Sequence, residues 1–343
     1  LEIDLVSAKS VKDVVIDGGK VSVDIVLGFP AKGVFDTIAA AVKAAVEAVD
    51  GVSSCEVKVS SKVVAHSVQK SLKPIDNVKN IIAVASGKGG VGKSTTAVNL
   101  ALALSVEGAR VGILDADIYG PSQPRMLGIS GKPESKDGNT LEPMMSYHLQ
   151  AMSIGFLIDE ETPMIWRGPM VTQALEQLLN DTNWDELDYL VIDLPPGTGD
   201  TQLTLAQKVP VSGAIIVTTP QDIALLDARK GFKMFEKVEV PILGIVENMS
   251  THICSKCGHE EHIFGEGGGS RMAEQYGVRF LGALPLETRI REETDSGKPT
   301  VVAEPESRPA MVYREIARKA AAKLARQAKS YASKFPNIVI QNN

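Results

Sequence analysis

The feature that most constrains the fold is a glycine-rich stretch at residues 87–94. It reads GKGGVGKS and fits the pattern G-x-x-x-x-G-K-[ST] of a phosphate-binding loop. Glycines carry no side chain, so backbone N–H groups can turn toward phosphate oxygens. The apolar run 81–85 predicts a buried strand before this stretch, and residues 95–107 predict a helix after it that Gly108 ends. This order places a helix N-terminus, with its partial positive charge, at the phosphates.

The stretch therefore predicts a P-loop nucleotide site. We expect Lys93 to reach the β- and γ-phosphates and Ser94 to bind Mg²⁺. The residues predicted to contact the nucleotide here are Gly87, Lys88, Gly89, Gly90, Val91, Gly92, Lys93, Ser94 and Thr95.

Lys88 is a second lysine at the start of the loop, and the bare pattern does not require it. With it, the string GKGGVGKST resembles the deviant P-loop of the MinD/ParA and nitrogenase iron-protein group of dimeric ATPases. The resemblance implies that Lys88 crosses a dimer interface, touches the partner's nucleotide and is catalytic, as an arginine finger is elsewhere. Taken alone, Lys88 has the alternative of an ordinary solvated surface lysine.

Length and composition are those of an ordinary globular chain. The 343 residues suggest two domains, and the net charge of −6 argues against a nucleic-acid-binding surface. No apolar run approaches the roughly 20 residues that span a bilayer, and the N-terminus has no signal-peptide pattern. Three cysteines do not make a disulfide scaffold, so we expect a cytoplasmic, reducing location.

The hydrophobic pattern changes along the chain and predicts separate units. Residues 20–27 and 52–59 alternate like strands around an alanine-rich helix at 34–49, which predicts a β-α-β module. The polar segment that follows contains Pro74 and predicts a linker. The predicted units are a small α+β domain (1–62), a linker (63–80), a P-loop ATPase domain (81–330) and a C-terminal tail (331–343).

The predicted ATPase domain alternates short apolar strands with helices. This order is typical of a doubly wound, mostly parallel α/β sheet, in which ligands bind beyond the carboxyl ends of the strands. The predicted strands are 81–85, 110–114, 189–192, 213–219, 242–246 and 279–284. The motifs described below follow these strands, so we expect them to meet at one edge of the sheet.

Aspartates follow two of the strands. Asp115 and Asp117 come after the strand at 110–114, and Asp193 ends the strand at 189–192 in a Walker B pattern. Carboxylates beside a phosphate site can bind Mg²⁺ or its water ligands, and we assign Asp193 to Mg²⁺. The alternative for Asp115 or Asp117 is a cap on the next segment. Asp193 runs into the loop LPPGTGD, where the Gly197 N–H is expected to sense the γ-phosphate.

Asn248 follows the strand at 242–246. An amide can pair with a purine edge as donor and acceptor together, although an asparagine in this position is usually a turn residue.

A second kind of chemistry is indicated by Cys254 and Cys257, which form a C-x-x-C-G knuckle with Gly258. Two such thiolates can bind one metal, but a complete site usually has four ligands. The remaining cysteine, Cys55, lies in the small N-terminal module. One chain thus supplies half of a Cys₄ site, and a two-fold axis would complete it around an iron–sulfur cluster or zinc.

Two other arrangements remain open for the knuckle. A within-chain zinc site would need histidines close to Cys254 and Cys257, and the candidates are His252, His259 and His262. A redox C-x-x-C would normally start a helix, and Gly258 argues against one.

The motifs GKGGVGKST, DADIYGPS, DLPPGTGD, ENMS and HICSKCGHEEHIFGEGGG occur in this order over about residues 78–310. In this combination the chain resembles the Mrp (ApbC) family of iron–sulfur cluster carrier ATPases. The N-terminal module resembles the small domain often fused in front of that family. Some relatives of this small domain have a reactive cysteine, but the comparable loop here, residues 27–33, contains none.

The resemblance implies a slow ATPase that is a homodimer. It implies ATP, Mg²⁺ and a [4Fe–4S] cluster shared between two chains through Cys254 and Cys257, with delivery to apo iron–sulfur proteins in contact with the assembly machinery. It also implies that Asp117 orients or activates the attacking water, and that Asn248 contacts adenine. No nucleic-acid partner and no stable membrane association are expected.

The segment 311–330 predicts a basic helix with a narrow apolar stripe rich in alanine. Such a helix can lie on a membrane surface, as in MinD, but a stripe without Trp or Phe favours packing on the domain. The rival functions are a positioning or partition ATPase of the MinD/ParA type, which has no need of thiolates, and a zinc-stapled regulatory ATPase.

Overall fold

The computed structural model describes residues 3–66, 68–69, 72–158, 168–254 and 256–327. The strands in this part of the chain are β1 (Val11–Asp17), β2 (Lys20–Leu27), β3 (Ser54–Ser61), β4 (Ile81–Ser86), β5 (Val111–Asp115), β6 (Met144–Ser146), β7 (Leu149–Ser153), β8 (Tyr189–Asp193), β9 (Gly213–Thr218), β10 (Ile242–Glu247), β11 (His252–Ile253), β12 (Glu260–Glu261) and β13 (Phe280–Ala283). The α-helices are α1 (Phe35–Glu47), α2 (Lys93–Val106), α3 (Gln123–Met126), α4 (Gly168–Asn180), α5 (Asp200–Lys208), α6 (Asp222–Lys237), α7 (Gly268–Gln275), α8 (Thr288–Asp295), α9 (Thr300–Ala303) and α10 (Arg308–Leu324).

Among the described residues, eight strands form one large sheet in the order β13-β10-β9-β4-β8-β5-β7-β6. All neighbouring pairs are parallel except β6 and β7. The central strands β4, β5, β8 and β9 are buried at every position, which explains why they read as unbroken apolar runs. The doubly wound, mostly parallel α/β sheet predicted from the sequence is confirmed.

The sheet contains two strands that the sequence analysis did not predict. The short strands β6 and β7 form an antiparallel hairpin at one edge, and β7 pairs in parallel with β5. The hairpin sequence, MMSYHLQAMS, has neither β-branched residues nor a clear alternation of apolar and polar positions. The sheet therefore extends one hairpin beyond the apolar pattern that revealed its centre.

The N-terminal residues form a separate three-stranded sheet, in the order β1-β2-β3. Strands β2 and β3 and helix α1 agree with the predicted β-α-β order, and β1 is an additional antiparallel strand that pairs with β2. After Val11, every residue of β1 is exposed, so the strand lacks the alternation that would identify it.

The basic C-terminal helix packs on the ATPase domain, which is the arrangement that its sequence favoured over a membrane-surface helix. Helix α10 lies against α2 and β13, and it buries Tyr313, Ile316 and Ala320. Arg314 and Arg318 bind the carboxylate of Glu107, and Lys319 donates to the carbonyl of Leu281. The helix begins three residues earlier than predicted and ends at Leu324, before the predicted end at residue 330; residues 328–330 lie outside the described residues.

No helix in the described part of the chain combines the length and the apolar character needed to cross a membrane.

Candidate functional site

The predicted P-loop lies between the end of β4 and the start of α2, at the carboxyl edge of the large sheet. Gly90 and Gly92 have φ angles of +80° and +78°, a conformation that glycine adopts without strain. The loop borders a cavity of about 230 Å³. The residues lining that cavity are Ser86, Lys88, Gly89, Gly90, Gly92, Lys93, Ser94, Thr95, Asp117, Met126 and Pro196.

Neighbouring elements leave no room for side chains at two of the loop glycines. A Cβ on Gly87 would lie 2.1 Å from the carbonyl carbon of Asp227 in α6, and one on Gly92 would lie 2.2 Å from Asn248 Nδ2. The P-loop is thus held between α6 and the end of β10. This packing fixes the backbone that is predicted to surround the phosphates.

Lys93 and Asp193 form a buried ion pair at the base of the cavity. Lys93 Nζ donates to Asp193 Oδ1 and also lies 3.1 Å from Ser94 Oγ. The Asp193 side chain is fully buried, so each charge depends on the other for its neutralisation. The residues predicted to bind phosphate and Mg²⁺ are therefore already together, paired with each other.

Gln123 lies beside this ion pair, and the sequence analysis did not name it. Its Nε2 donates to Asp193 Oδ2 at 2.9 Å and to the carbonyl of Ser94 at 3.2 Å. Its backbone N–H donates to Asp115 Oδ2 at 3.0 Å. Gln123 thus connects three residues of the site, although no sequence pattern singles out a glutamine in this position.

Asp115 is a buried carboxylate that also accepts from the Ser122 N–H and from Ser153 Oγ, at 2.9 and 3.1 Å. Burial, and secondly the neighbouring Asp193, raise the pKa of Asp115 to about 7. Its oxygens are occupied by the turn that leads into α3, as the capping alternative expected.

Asp117, in contrast, lines the cavity. Burial raises its pKa above the usual value for aspartate, while Lys93 acts in the opposite direction. Asp117 is thus a carboxylate that faces the cavity, whereas the oxygens of Asp115 accept from neighbouring N–H and O–H groups. Lys88 lines the same cavity and is partly exposed.

Gly197 lies in the loop after β8, with a φ of +105°. Its N–H donates to the carbonyl of Ser86, at 3.0 Å, just before the P-loop. To reach a γ-phosphate, this N–H would have to leave Ser86. The structure thus places the predicted sensor next to the P-loop, in an arrangement where its donor has another partner.

Asn248 contacts the P-loop backbone. Its Nδ2 donates to the carbonyl of Val91 at 2.9 Å, and the side chain is only 8% exposed. It is not among the residues that line the cavity. Contact with adenine stays a prediction, whereas contact with the loop is what this arrangement provides.

Cys254 and Cys257 lie in the turn between the short antiparallel strands β11 and β12. Cys254 is partly exposed and Cys257 is exposed. The backbone N–H groups of Lys256 and then of Cys257 lower the pKa of the Cys254 thiol, which favours the thiolate that binds metal. Cys55, in contrast, is buried in β3.

Among the described residues, no three His, Cys, Asp or Glu side chains come close enough to hold a metal ion. His252 and His262 use their Nδ1 atoms on backbone carbonyls, those of Leu286 and Ser250, at 3.0 and 2.9 Å. The cysteine pair is therefore an incomplete ligand set within the part of the chain that the structure describes.

Two known protein families match this chain. A family model described as "NUBPL iron-transfer P-loop NTPase" matches residues 77–321. The chain belongs to this family. A second model, described as "Iron-sulfur cluster assembly protein", matches residues 1–59. The resemblance carried by the motifs is thereby confirmed at the level of the family, and the chain is a P-loop NTPase.

Similar proteins cover most of the chain. It is 61% identical over 275 residues to the iron-sulfur cluster carrier protein of Pseudomonas fragi, a match that covers 80% of this chain and 96% of that protein. It is 52% identical over 325 residues to the Escherichia coli K12 protein of the same name, covering 94% and 88%. The mouse iron-sulfur cluster transfer protein NUBPL is 53% identical over 247 residues, covering 71% of this chain and 77% of that protein.

Solved structures agree with the fold. The nucleotide-binding protein of Archaeoglobus fulgidus in complex with ADP is 40% identical, with a TM-score of 0.60, and covers 68% of this chain and 90% of its own. The cell division ATPase MinD of Pyrococcus furiosus is 23% identical, with a TM-score of 0.53, over 70% of this chain and 97% of its own. The second likeness supports the fold alone.

Proposed function

We propose that this protein is an ATP-hydrolysing carrier of iron–sulfur clusters. In this proposal a homodimer binds a [4Fe–4S] cluster between its two chains and passes it to apo iron–sulfur proteins, in contact with the cluster assembly machinery. The observation that carries the proposal is a pair of cysteines, one partly exposed and one exposed, with no further ligand among the described residues, in the same domain as a P-loop. The names of the similar proteins support the same function.

The nucleotide part of the proposal begins with the ion pair between Lys93 and Asp193. When MgATP binds, Lys93 would exchange this partner for the β- and γ-phosphates. Asp193 and Ser94 would hold Mg²⁺, and the donor set fits the ion because Mg²⁺ prefers hydroxyl and carboxylate oxygens. Bound there, Mg²⁺ would neutralise charge on the phosphates. The ion pair is thus neutral before binding, and Mg²⁺ offsets part of the negative charge that ATP brings.

Hydrolysis needs a residue that handles water and a charge at the γ-phosphate. Asp117 is our candidate for the first, because it lines the cavity and has a raised pKa. Lys88 is our candidate for the second, acting across the dimer on the partner's nucleotide. Lys88 lines the cavity of its own chain and is partly exposed, and its action on the partner's nucleotide rests on the resemblance to the dimeric ATPases. We expect slow turnover, because the ATP cycle serves to switch cluster affinity.

The dimer follows from the ligand count at the knuckle. Cys254 and Cys257 supply two thiolates, and a two-fold axis through the knuckle would bring four around one cluster. Cys257 is exposed, so it is accessible to a cluster that a second copy of the chain also binds. Three basic residues of α10, Arg314, Arg318 and Lys319, contact Glu107 and the carbonyl of Leu281, which supports a helix that packs on the domain and a carrier without membrane anchorage. The location that we propose is the cytoplasm.

Anaerobic reconstitution with iron and sulfide tests the proposal. We expect a visible iron–sulfur chromophore and about four irons per dimer. Cys254→Ala or Cys257→Ala should abolish the chromophore while ATP binding survives. Cys55→Ala is the matched control and should keep the full cluster.

Three outcomes would contradict the cluster assignment. Zinc bound in place of iron would favour a stapled regulatory ATPase. A cluster held once per monomer would point to a within-chain site. A chromophore lost in the Cys55 variant would show that the ligands are wrongly chosen.

A further inference from the structure

The strand that leads into the cysteine hairpin is tied directly to the P-loop. Asn248, at the end of β10, donates its Nδ2 to the carbonyl of Val91 at 2.9 Å. The contact is close enough that the neighbouring Gly92 has no room for a Cβ. Asn248 is also fixed on its other side, because its N–H donates to the carbonyl of Thr218 at 2.8 Å. A displacement of the P-loop backbone at Val91 would therefore act on the end of β10.

The hairpin is tied to the residues immediately after Asn248. His262, just beyond β12, donates from Nδ1 to the carbonyl of Ser250 at 2.9 Å. A carbonyl oxygen can only accept, so Nδ1 carries the proton. On the other side, His252 Nδ1 lies 3.0 Å from the carbonyl of Leu286, whose own N–H donates to Thr251 at 2.7 Å. Two histidines thus hold the base of the hairpin.

Two hydrogen bonds and the short stretches of chain between them thus connect the phosphate loop to the knuckle. Val91 in the loop, Asn248, Ser250 and His262 follow one another, and the hairpin carries Cys254 and Cys257 at its turn. Asn248 lies only six residues before Cys254 in the chain. Such a route is a physical link, but only a measured coupling shows that it transmits a change.

We propose that Asn248 and His262 are positioning residues that couple nucleotide binding at the P-loop to the exposure of the knuckle thiols. This inference rests on the proposed function, because it explains how ATP would change the hold on a cluster. It differs from the adenine assignment of Asn248, since an amide used on the P-loop backbone serves any nucleotide with the same phosphates.

Thiol alkylation in the full-length apo-protein tests the coupling without a cluster. Cys254 and Cys257 are accessible and Cys55 is buried, so the rate of iodoacetamide reaction reports on the knuckle. In the wild-type protein we expect MgADP or a non-hydrolysable MgATP analogue to change that rate by about 5-fold or more, the lower end of typical allosteric coupling. Asn248→Asp removes the donor to Val91 at nearly constant size and should bring the ratio close to one.

His262 provides a second variant, on an exposed side chain where folding is less at risk. His262→Ala removes the Nδ1 donor and should also abolish the nucleotide effect. His262→Asn places an N–H donor at the same distance from Cβ and should restore it at least in part. His259→Ala is the matched control, because His259 lies exposed on the same hairpin and no hydrogen bond of its side chain occurs among the described residues.

The outcomes separate this inference from the proposed function. Variants at Asn248 and His262 that bind nucleotide and keep the wild-type ratio would overturn the coupling role. So would an Asn248→Asp protein that loses ATP but not GTP affinity and retains coupling, since Asn248 would then read adenine. An alkylation rate of the wild-type thiols that does not change with nucleotide would also overturn the inference. Cluster binding is measured separately by reconstitution.

Discussion

Replacing Asp193 should strengthen nucleotide binding in the absence of Mg²⁺. In the structure Asp193 is fully buried and paired with Lys93, which is itself 6% exposed. A nucleotide without Mg²⁺ takes Lys93 as its partner and leaves the carboxylate buried beside the phosphates. Asp193→Asn removes that unneutralised charge, so ADP no longer has to displace it. The same variant should lose most of the benefit that Mg²⁺ gives.

The size of the effect follows from the cost of separating a buried ion pair. Removing one partner of such a pair costs about 3–5 kcal/mol. We take about 2–3 kcal/mol here, because Gln123 still donates to Asp193 Oδ2. Since 1.4 kcal/mol is tenfold in affinity, Asp193→Asn should bind Mg²⁺-free ADP about 30- to 140-fold more tightly. Addition of Mg²⁺ should then change its affinity by less than about threefold.

Isothermal titration with ADP, in EDTA and in excess Mg²⁺, measures both effects. Asp117→Asn is the matched control, because it removes one carboxylate charge from the cavity lining without breaking an ion pair with Lys93. We expect it to raise Mg²⁺-free affinity by no more than about threefold. A folded Asp193→Asn protein with unchanged or weaker Mg²⁺-free affinity would refute the reasoning that the ion pair opposes binding.

Three further predictions concern residues around this site and behind it. Gln123→Leu should raise the Mg²⁺ concentration for half-maximal ATPase activity about 10-fold, because Gln123 orients Asp193, and should leave the Mg²⁺-free affinity for ADP unchanged. Parallel Mg²⁺ titrations of the variant and the wild type check this, and equal midpoints would contradict it. Asp115 keeps its proton up to about pH 7 when folded but only to 3.8 when unfolded, so its contribution to stability falls as pH rises through that window. Asp115→Asn should therefore flatten the decline in urea midpoint between about pH 5 and about pH 7.5, and a slope equal to that of wild type would count against the raised pKa. Glu107→Gln should cost about 2–3 kcal/mol of stability and increase amide exchange at Gly33, because the NH₂ group of the new glutamine would face the Gly33 N–H. The control Asp185→Ala removes an exposed ion pair and should cost less than about 1 kcal/mol. Equal losses of stability in the two variants would contradict the prediction.

The P-loop and the Walker B aspartate were predictable because local sequence determines them. A glycine loop between an apolar strand and a helix has few other conformations, and a buried strand such as β8 must end where its first charged residue, Asp193, appears. The same logic placed every motif at the carboxyl edge of the sheet. Strands β1 and β6 escaped prediction because neither is buried, so their sequences record no core-facing pattern.

Local sequence does not show which distant residue a given side chain contacts. The family resemblance implied that Asn248 contacts adenine, whereas its position after a strand indicated only a turn residue; the contact that it makes depends on the packing of β10 against the P-loop. Gln123 was not identified because a glutamine has meaning only once Asp193 is placed beside it. Glu107 binds Arg314 and Arg318, which lie 207 and 211 residues further along the chain, and no periodicity links positions so far apart.

Glu107 also explains how the N-terminal sheet is seated on the ATPase domain. The residue follows the end of α2, the helix that begins at the P-loop lysine. Its carboxylate is fully buried, accepts from Arg314 and Arg318 of α10, and accepts the Gly33 N–H of the N-terminal domain at 2.9 Å. Proteins in which apolar side chains of similar volume replace such a buried charged cluster are often equally stable. The cluster therefore contributes to the orientation of the parts that it joins more than to the free energy of unfolding. Gly33 lies close to this cluster, since a Cβ there would lie 2.0 Å from Arg314 Nη2, and a larger residue would require the arginine side chain to move. We infer that the cluster fixes one orientation of the N-terminal domain relative to the helix that carries the nucleotide site, and the exchange of the Gly33 amide in Glu107→Gln is the measurement on which that inference depends.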